Sequence, residues 1–136
     1  MEDNGSVPTF SFIFLSYFGP NNASLLAIDP AVDKGYVKDN DEIVIGDVKL
    51  KVIHTPGHSR GGICLYGDGN LFTGDTLFVG AIGRDDLPGG DYAVYMDSIH
   101  KRILTLPEDT IVWPGHDYGV SPSSTIGREK IANPFL

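Results

Sequence analysis

Val48-Lys49-Leu50-Lys51-Val52-Ile53-His54-Thr55-Pro56-Gly57-His58-Ser59-Arg60-Gly61-Gly62-Ile63-Cys64-Leu65-Tyr66 is the stretch that decides the fold. Val48, Leu50 and Val52 alternate with Lys49 and Lys51, which is the period of a half-buried strand. The strand must stop at His54-Thr55-Pro56-Gly57, because Pro56 removes a backbone donor and the glycines disfavour a helix. A second strand resumes at Ile63. The unit is therefore strand, polar loop, strand, with two histidines in the loop.

Working outward, Ile43-Val44-Ile45 and Val48 to Ile53 read as a hairpin around Gly46-Asp47. Ile63 to Tyr66 and Leu71 to Thr73 read as a second hairpin around Gly67-Asp68-Gly69-Asn70. The stretch from Gly74 to Gly90 is Gly- and Pro-rich and reads as loop. Asp91 is placed to cap a helix running to about Leu104, with Tyr95, Ile99, Ile103 and Leu106 near one face. Thr110 to Trp113 is a strand stopped by Pro114-Gly115. A last helix, Ile126 to Ala132, can be capped by Ser124 or Thr125 and ends before Pro134. Upstream, Phe10 to Phe18 and Ala23 to Ile28 read as strands, and Ala31 to Glu42 as loop. This order predicts an α/β or α+β layered domain with helices covering sheet.

The 136 residues fit one domain, 1–136. The balance of 10 basic against 18 acidic side chains, a net charge of -8, argues against nucleic acid or an anionic membrane surface as partner. The apolar run Phe10 to Phe18 is broken by Ser11 and Ser16 and falls well short of the about 20 residues a membrane helix needs. With no basic, signal-like start, a soluble cytoplasmic protein is expected. The single Cys64 excludes an internal disulfide framework and a Cys-rich zinc cluster. Flanked by Ile63 and Leu65, it reads as a small buried apolar residue rather than a nucleophile.

The polar residues that stand out each follow a strand: His54 and His58 after the second, Asp75 after Leu71 to Thr73, His116 after Thr110 to Trp113. Loops at strand ends are where a rigid sheet displays groups that converge on a site. Two imidazoles and a carboxylate suit zinc, iron or manganese. Each also has a plainer role: His58 and His116 as ordinary loop histidines, Asp75 bonding its own turn. His54 fits a packed, hydrogen-bonded histidine better than a ligand, and His100, beside Lys101 and Arg102, fits a solvated one.

Taken together, His54-Thr55-Pro56-Gly57-His58-Ser59-Arg60-Gly61-Gly62, Leu71-Phe72-Thr73-Gly74-Asp75-Thr76-Leu77-Phe78, Gly83-Arg84 with Asp86-Leu87-Pro88-Gly89-Gly90-Asp91, Pro114-Gly115-His116-Asp117, and the ending Ser124-Thr125-Ile126-Gly127-Arg128-Glu129 through Asn133-Pro134-Phe135-Leu136 resemble the metallo-β-lactamase fold. The resemblance is to its glyoxalase II-like (hydroxyacylglutathione hydrolase-like) branch and runs nearly continuously from about Val32 to Leu136. It implies an αββα sandwich of mostly antiparallel or mixed sheets with helices outside. It also implies a paired metal centre, usually zinc, sometimes iron or manganese, that activates water for thioester hydrolysis and stabilises the developing negative charge. By position, His58 and His116 match a histidine ligand of each metal, and Asp75 the carboxylate bridging them.

One departure matters for function. The family opens with a His-x-His-x-Asp-His motif, and this sequence has no histidine before His54. The chain steps from Leu25-Leu26-Ala27-Ile28-Asp29-Pro30 to Val32-Asp33-Lys34-Gly35, so an internal shortening around residues 22–32 is expected. Only His58, Asp75 and His116 remain of the ligand set. The resemblance therefore implies a weak or incomplete metal site and little hydrolysis of a small-molecule thioester. Two alternatives stand beside it: a catalytically inactive shortened homologue, or a structural protein that associates through exposed sheet surface, with a homo-oligomer as one such assembly.

Overall fold

A computed structural model describes residues 37–136. The expected strands at Phe10 to Phe18 and Ala23 to Ile28, and the expected shortening around 22–32, lie outside the described residues.

The chain lays down β1 (Glu42–Ile45), β2 (Val48–His54), β3 (Ile63–Gly67) and β4 (Asn70–Gly74) as consecutive antiparallel neighbours. Both hairpins fall where the turn residues placed them. Gly46 (φ +61), Asp68 (φ +53) and Gly69 (φ +75) supply the positive φ values that tight hairpins demand. A two-stranded ribbon follows, β5 (Leu77–Phe78) and β6 (Ala81–Ile82), and then a helical segment. That segment is α1 (Tyr92–Ser98), capped by the Asp91 carboxylate on Val94 N at 3.1 Å, continuing as a π-helical turn over Ile99–Ile103. β7 (Ile111–Pro114) then pairs parallel to β4, β8 (Ser124–Thr125) pairs antiparallel to β7, and α2 (Ile126–Ala132) closes the chain. Its N-cap is Thr125, whose hydroxyl accepts from Arg128 N at 3.1 Å.

The principal sheet has the order β1-β2-β3-β4-β7-β8. Alternation along its strands divides the core in two. Ile43, Leu50, Val52, Ile63, Leu65 and Phe72 form one cluster. Ile53, Cys64, Leu71 and Val112 form the other, together with Leu77, Ile103 of the helical segment and Ile126 of α2. The architecture is thus mixed, largely antiparallel sheet with two helical elements packed outside it, in keeping with a shortened metallo-β-lactamase-like sandwich.

Three local expectations need correction. Gly74 to Gly90 is not all loop, because Val79-Gly80, with Gly80 at φ +77, turns a short ribbon whose Leu77 is fully buried. Val48 is 43 % exposed although it alternates with the lysines; it opens β2 beside the Gly46 turn, outside the buried cluster. The second helical turn widens at Ile99, where Leu104 N reaches back five residues to Ile99 O. Among the described residues, no helix is long and apolar enough to cross a membrane.

Candidate active site

The loop between β2 and β3 is held by its own backbone. Thr55 N donates to Gly62 O at 2.8 Å and Gly57 N to Ser59 O at 3.1 Å. The helical segment fastens it from outside: Asp91 N donates to Gly57 O at 2.9 Å and Ser98 Oγ to Pro56 O at 2.7 Å. His58 projects from this loop. Its Nδ1 lies 2.7 Å from the Arg84 carbonyl, so Nδ1 carries the proton and Nε2 is directed elsewhere.

Asp75 leaves β4 through Gly74, whose φ of +51 turns the chain sharply, and Thr76 N closes the turn on Thr73 O at 2.8 Å. His116 leaves β7. Because β7 runs parallel beside β4, Gly115 N reaches Gly74 O at 2.8 Å and the two strand ends arrive together.

The structure brings all three predicted site residues together. His58 Nε2 stands 3.5 Å from Asp75 Oδ2, and His116 Nδ1 stands 2.8 Å from Asp75 Oδ1. Their side chains are sheltered but not sealed, at 24 %, 17 % and 32 % exposure for His58, Asp75 and His116. The His58 imidazole is held protonated above its ordinary range. The Asp75 carboxylate is the main cause and the Arg84 carbonyl adds to it, against the opposing effect of partial burial. Beyond His116, Tyr118 stacks on its ring at 4.7 Å between centroids, and Phe78 meets it edge-on at 5.7 Å.

The remaining candidates fall away from this cluster. His54 is exposed and hydrogen-bonds the Arg60 carbonyl through Nε2 at 2.9 Å. His100 is exposed on the π-helical turn. Cys64 is fully buried, which pushes its thiol up to about 12 and leaves it unreactive.

Two buried polar roles, one beside the site and one in α2, carried no usable signal in the sequence. Tyr95 reads there as one more apolar-face residue, yet its hydroxyl receives the Gly83 amide at 2.8 Å and lies 3.0 Å and 2.8 Å from the Asp75 and Thr76 carbonyls. Glu129 stands there only within the ending Ser124 to Glu129 that carries the resemblance. It is a buried carboxylate accepting from Ser124 Oγ at 2.6 Å, Gly80 N at 2.9 Å and Asn133 Nδ2 at 2.9 Å.

The fit to a metal is partial. Each imidazole meets a different oxygen of Asp75, so the three side chains do not converge on the one point a single metal ion requires. Among the described residues no group of three or more His, Cys, Asp or Glu side chains is arranged to hold a metal ion. The trio does not make a closed metal centre.

A family model described as the metallo-beta-lactamase superfamily matches residues 7–116, most of the chain. The chain belongs to the metallo-beta-lactamase superfamily. Hydroxyacylglutathione hydrolase and ETHE1 proteins are among those it resembles. The crystal structure of ETHE1 from Myxococcus xanthus is similar, with a TM-score of 0.72 at 36% identity over 75% of this chain and 45% of that one. A hydroxyacylglutathione hydrolase, GloC, of Haemophilus influenzae is 37% identical over 106 residues, 76% of this chain and 48% of its own length. An uncharacterized protein of Aquifex aeolicus is 43% identical over 125 residues, 90% of this chain and 54% of its own length. This superfamily member thus spans about half the length of the curated relatives it matches.

Proposed function

We propose that this chain carries one part of a metal-dependent hydrolase site of the glyoxalase II-like branch, with His58, Asp75 and His116 as its metal-facing residues. The observation that carries this reading is the meeting of His58 and His116 on the two oxygens of Asp75, at the ends of β2, β4 and β7. That trio is the donor set that zinc, iron or manganese would use. The likeness to a hydroxyacylglutathione hydrolase supports a small-molecule thioester as the ancestral substrate class, handled within one cytoplasmic domain. With no histidine before His54 to supply the remaining nitrogen ligands, the trio holds metal weakly and thioester hydrolysis is idle in this chain.

Zinc titration by calorimetry into chelator-treated, dialysed protein tests the reading, run beside an assay of S-lactoylglutathione hydrolysis. The expected zinc dissociation constant lies above about 1 µM, less than about 8 kcal/mol of binding. A closed structural zinc site reaches about 10–16 kcal/mol. Turnover is expected at the level of buffer. Stoichiometric binding of two metals at nanomolar concentration, with turnover, overturns the idle site. Absence of any binding even at millimolar zinc removes the metal-facing role of the trio.

A further inference from the structure

The misfit between the trio and a metal centre has a structural meaning of its own. Four separate segments meet at Asp75. The loop after β2 brings His58, the turn after β4 brings Asp75, the segment after β6 brings the Arg84 carbonyl, and the loop after β7 brings His116. Their contacts run in series: Arg84 carbonyl to His58 Nδ1 at 2.7 Å, His58 Nε2 to Asp75 Oδ2 at 3.5 Å, Asp75 Oδ1 to His116 Nδ1 at 2.8 Å. Both carboxylate oxygens and both nitrogens of His58 are thereby engaged within the protein. The seat is also close-packed. A Cβ on Gly83 would run into the Asp75 carbonyl and come within 3.1 Å of His58 Nδ1, so residues 83–84 fit against the pair only because position 83 is glycine.

We propose that His58, Asp75 and His116 form a metal-independent clip that fastens these four segments at the end of the sheet. The clip has a clear task. β4 and β7 are parallel strands joined through a long excursion that includes the ribbon and the helical segment, so no tight turn holds their ends together. The Asp75–His116 contact joins those ends across 41 residues of sequence, and His58 ties in the loop from the neighbouring β2–β3 hairpin. A partly sheltered carboxylate needs such partners, since leaving its oxygens unpaired there carries a desolvation cost. This role is separate from hydrolysis: a chain without any turnover can still need the clip.

Thermal melts of the 136-residue chain at pH about 7, in chelator and in about 1 µM zinc, a level at which a weak site adds little stability, test the clip with two substitutions at one position. Asp75→Ala removes both acceptors. Asp75→Asn keeps the shape, with its carbonyl accepting from His116 and its amide donating to His58 Nε2, but loses the anionic bridge a metal pair would use. The expected result is a wild-type Tm equal in chelator and zinc within about 2 °C, lowered by roughly 5 °C or more in Asp75→Ala under both conditions, and largely restored in Asp75→Asn. An Asp75→Ala chain that does not fold beside an Asp75→Asn chain that does has the same meaning. The clip is overturned if Asp75→Ala melts with wild type in chelator, or if Asp75→Asn falls as far as Asp75→Ala. It is overturned equally if zinc raises the wild-type Tm by more than about 5 °C and both variants lose that rise.

Discussion

The Gly83 amide donates to the Tyr95 hydroxyl at 2.8 Å, and that bond anchors the segment beneath Asp75 to the helix. The same hydroxyl turns its proton toward the carbonyls of Asp75 and Thr76, so one fully buried phenol serves three strangers in sequence. Tyr95→Phe preserves the ring and removes only the oxygen. The Gly83 N–H is then buried without an acceptor, at a cost of about 1–3 kcal/mol. Urea denaturation should show a lowered midpoint with an unchanged slope. A midpoint equal to wild type would mean that water takes the place of the hydroxyl.

Gly57 allows the His58 loop to lie directly on the helix. Its φ is +145, and a Cβ there would collide with the Cα, Cβ and Cγ of Tyr95. Backbone strain and overpacking act together in Gly57→Ala, and a loss of more than about 2 kcal/mol is expected. By contrast Gly46→Ala, where nothing lies within 4 Å of the new methyl, meets only the conformational cost of φ +61. Parallel urea titrations should rank Gly57→Ala as much the worse of the two. Equal losses would show that the collision is relieved by a small shift of α1.

Much of this was legible in the sequence, for reasons that can be named. Alternation across Val48 to Ile53 and the turn glycines gave both hairpins, and Asp91 and Thr125 marked both helix starts by their capping chemistry. The position of His58, Asp75 and His116 after strands suggested one site, because strand ends in a sheet lie on a common edge. Their meeting on one carboxylate depended on something local pattern does not carry, the parallel pairing of β4 with β7. The β5–β6 ribbon escaped notice because two-residue strands leave no measurable alternation in a glycine-rich stretch. Tyr95 and Glu129 escaped because their polar atoms act on partners distant in sequence: Gly83 and Asp75 for the phenol, Gly80 for the carboxylate.

Cys64 provides a probe of native packing. Its complete burial raises the thiol to about 12, so essentially no thiolate forms near neutral pH. Ellman's reagent at pH about 8 should find no reactive thiol in the folded chain and one in denaturant. Rapid reaction of the folded chain would mean that β3 opens locally.

Glu129 joins α2 to the ribbon. Its carboxylate accepts from Gly80 N, Ser124 Oγ and Asn133 Nδ2, all donors. Glu129→Gln puts an amide NH2 where one of those donors must point, at about 1–3 kcal/mol for the unsatisfied contact. The urea midpoint should fall, and further in Glu129→Ala, which empties the whole site. If Glu129→Gln is neutral, the Ser124 hydroxyl has rotated to accept from the new amide.

The His58 imidazole gives the site a pH signature. Its pKa is raised above 6.5, first by the Asp75 carboxylate and then by the Arg84 carbonyl, with burial opposing. A group bound to its proton more tightly in the folded state than in the unfolded one stabilises the fold when protonated. That contribution is fully present below about 6.5 and is lost as pH rises through the raised folded value. In chelator, the urea midpoint of wild type minus that of His58→Gln should therefore shrink between about pH 6 and pH 8.5. The subtraction removes the other titrating groups, which both proteins share. A difference that grows with pH would have the wrong sign for a proton held between His58 and Asp75, and would show that the contact at 3.5 Å does not persist in solution.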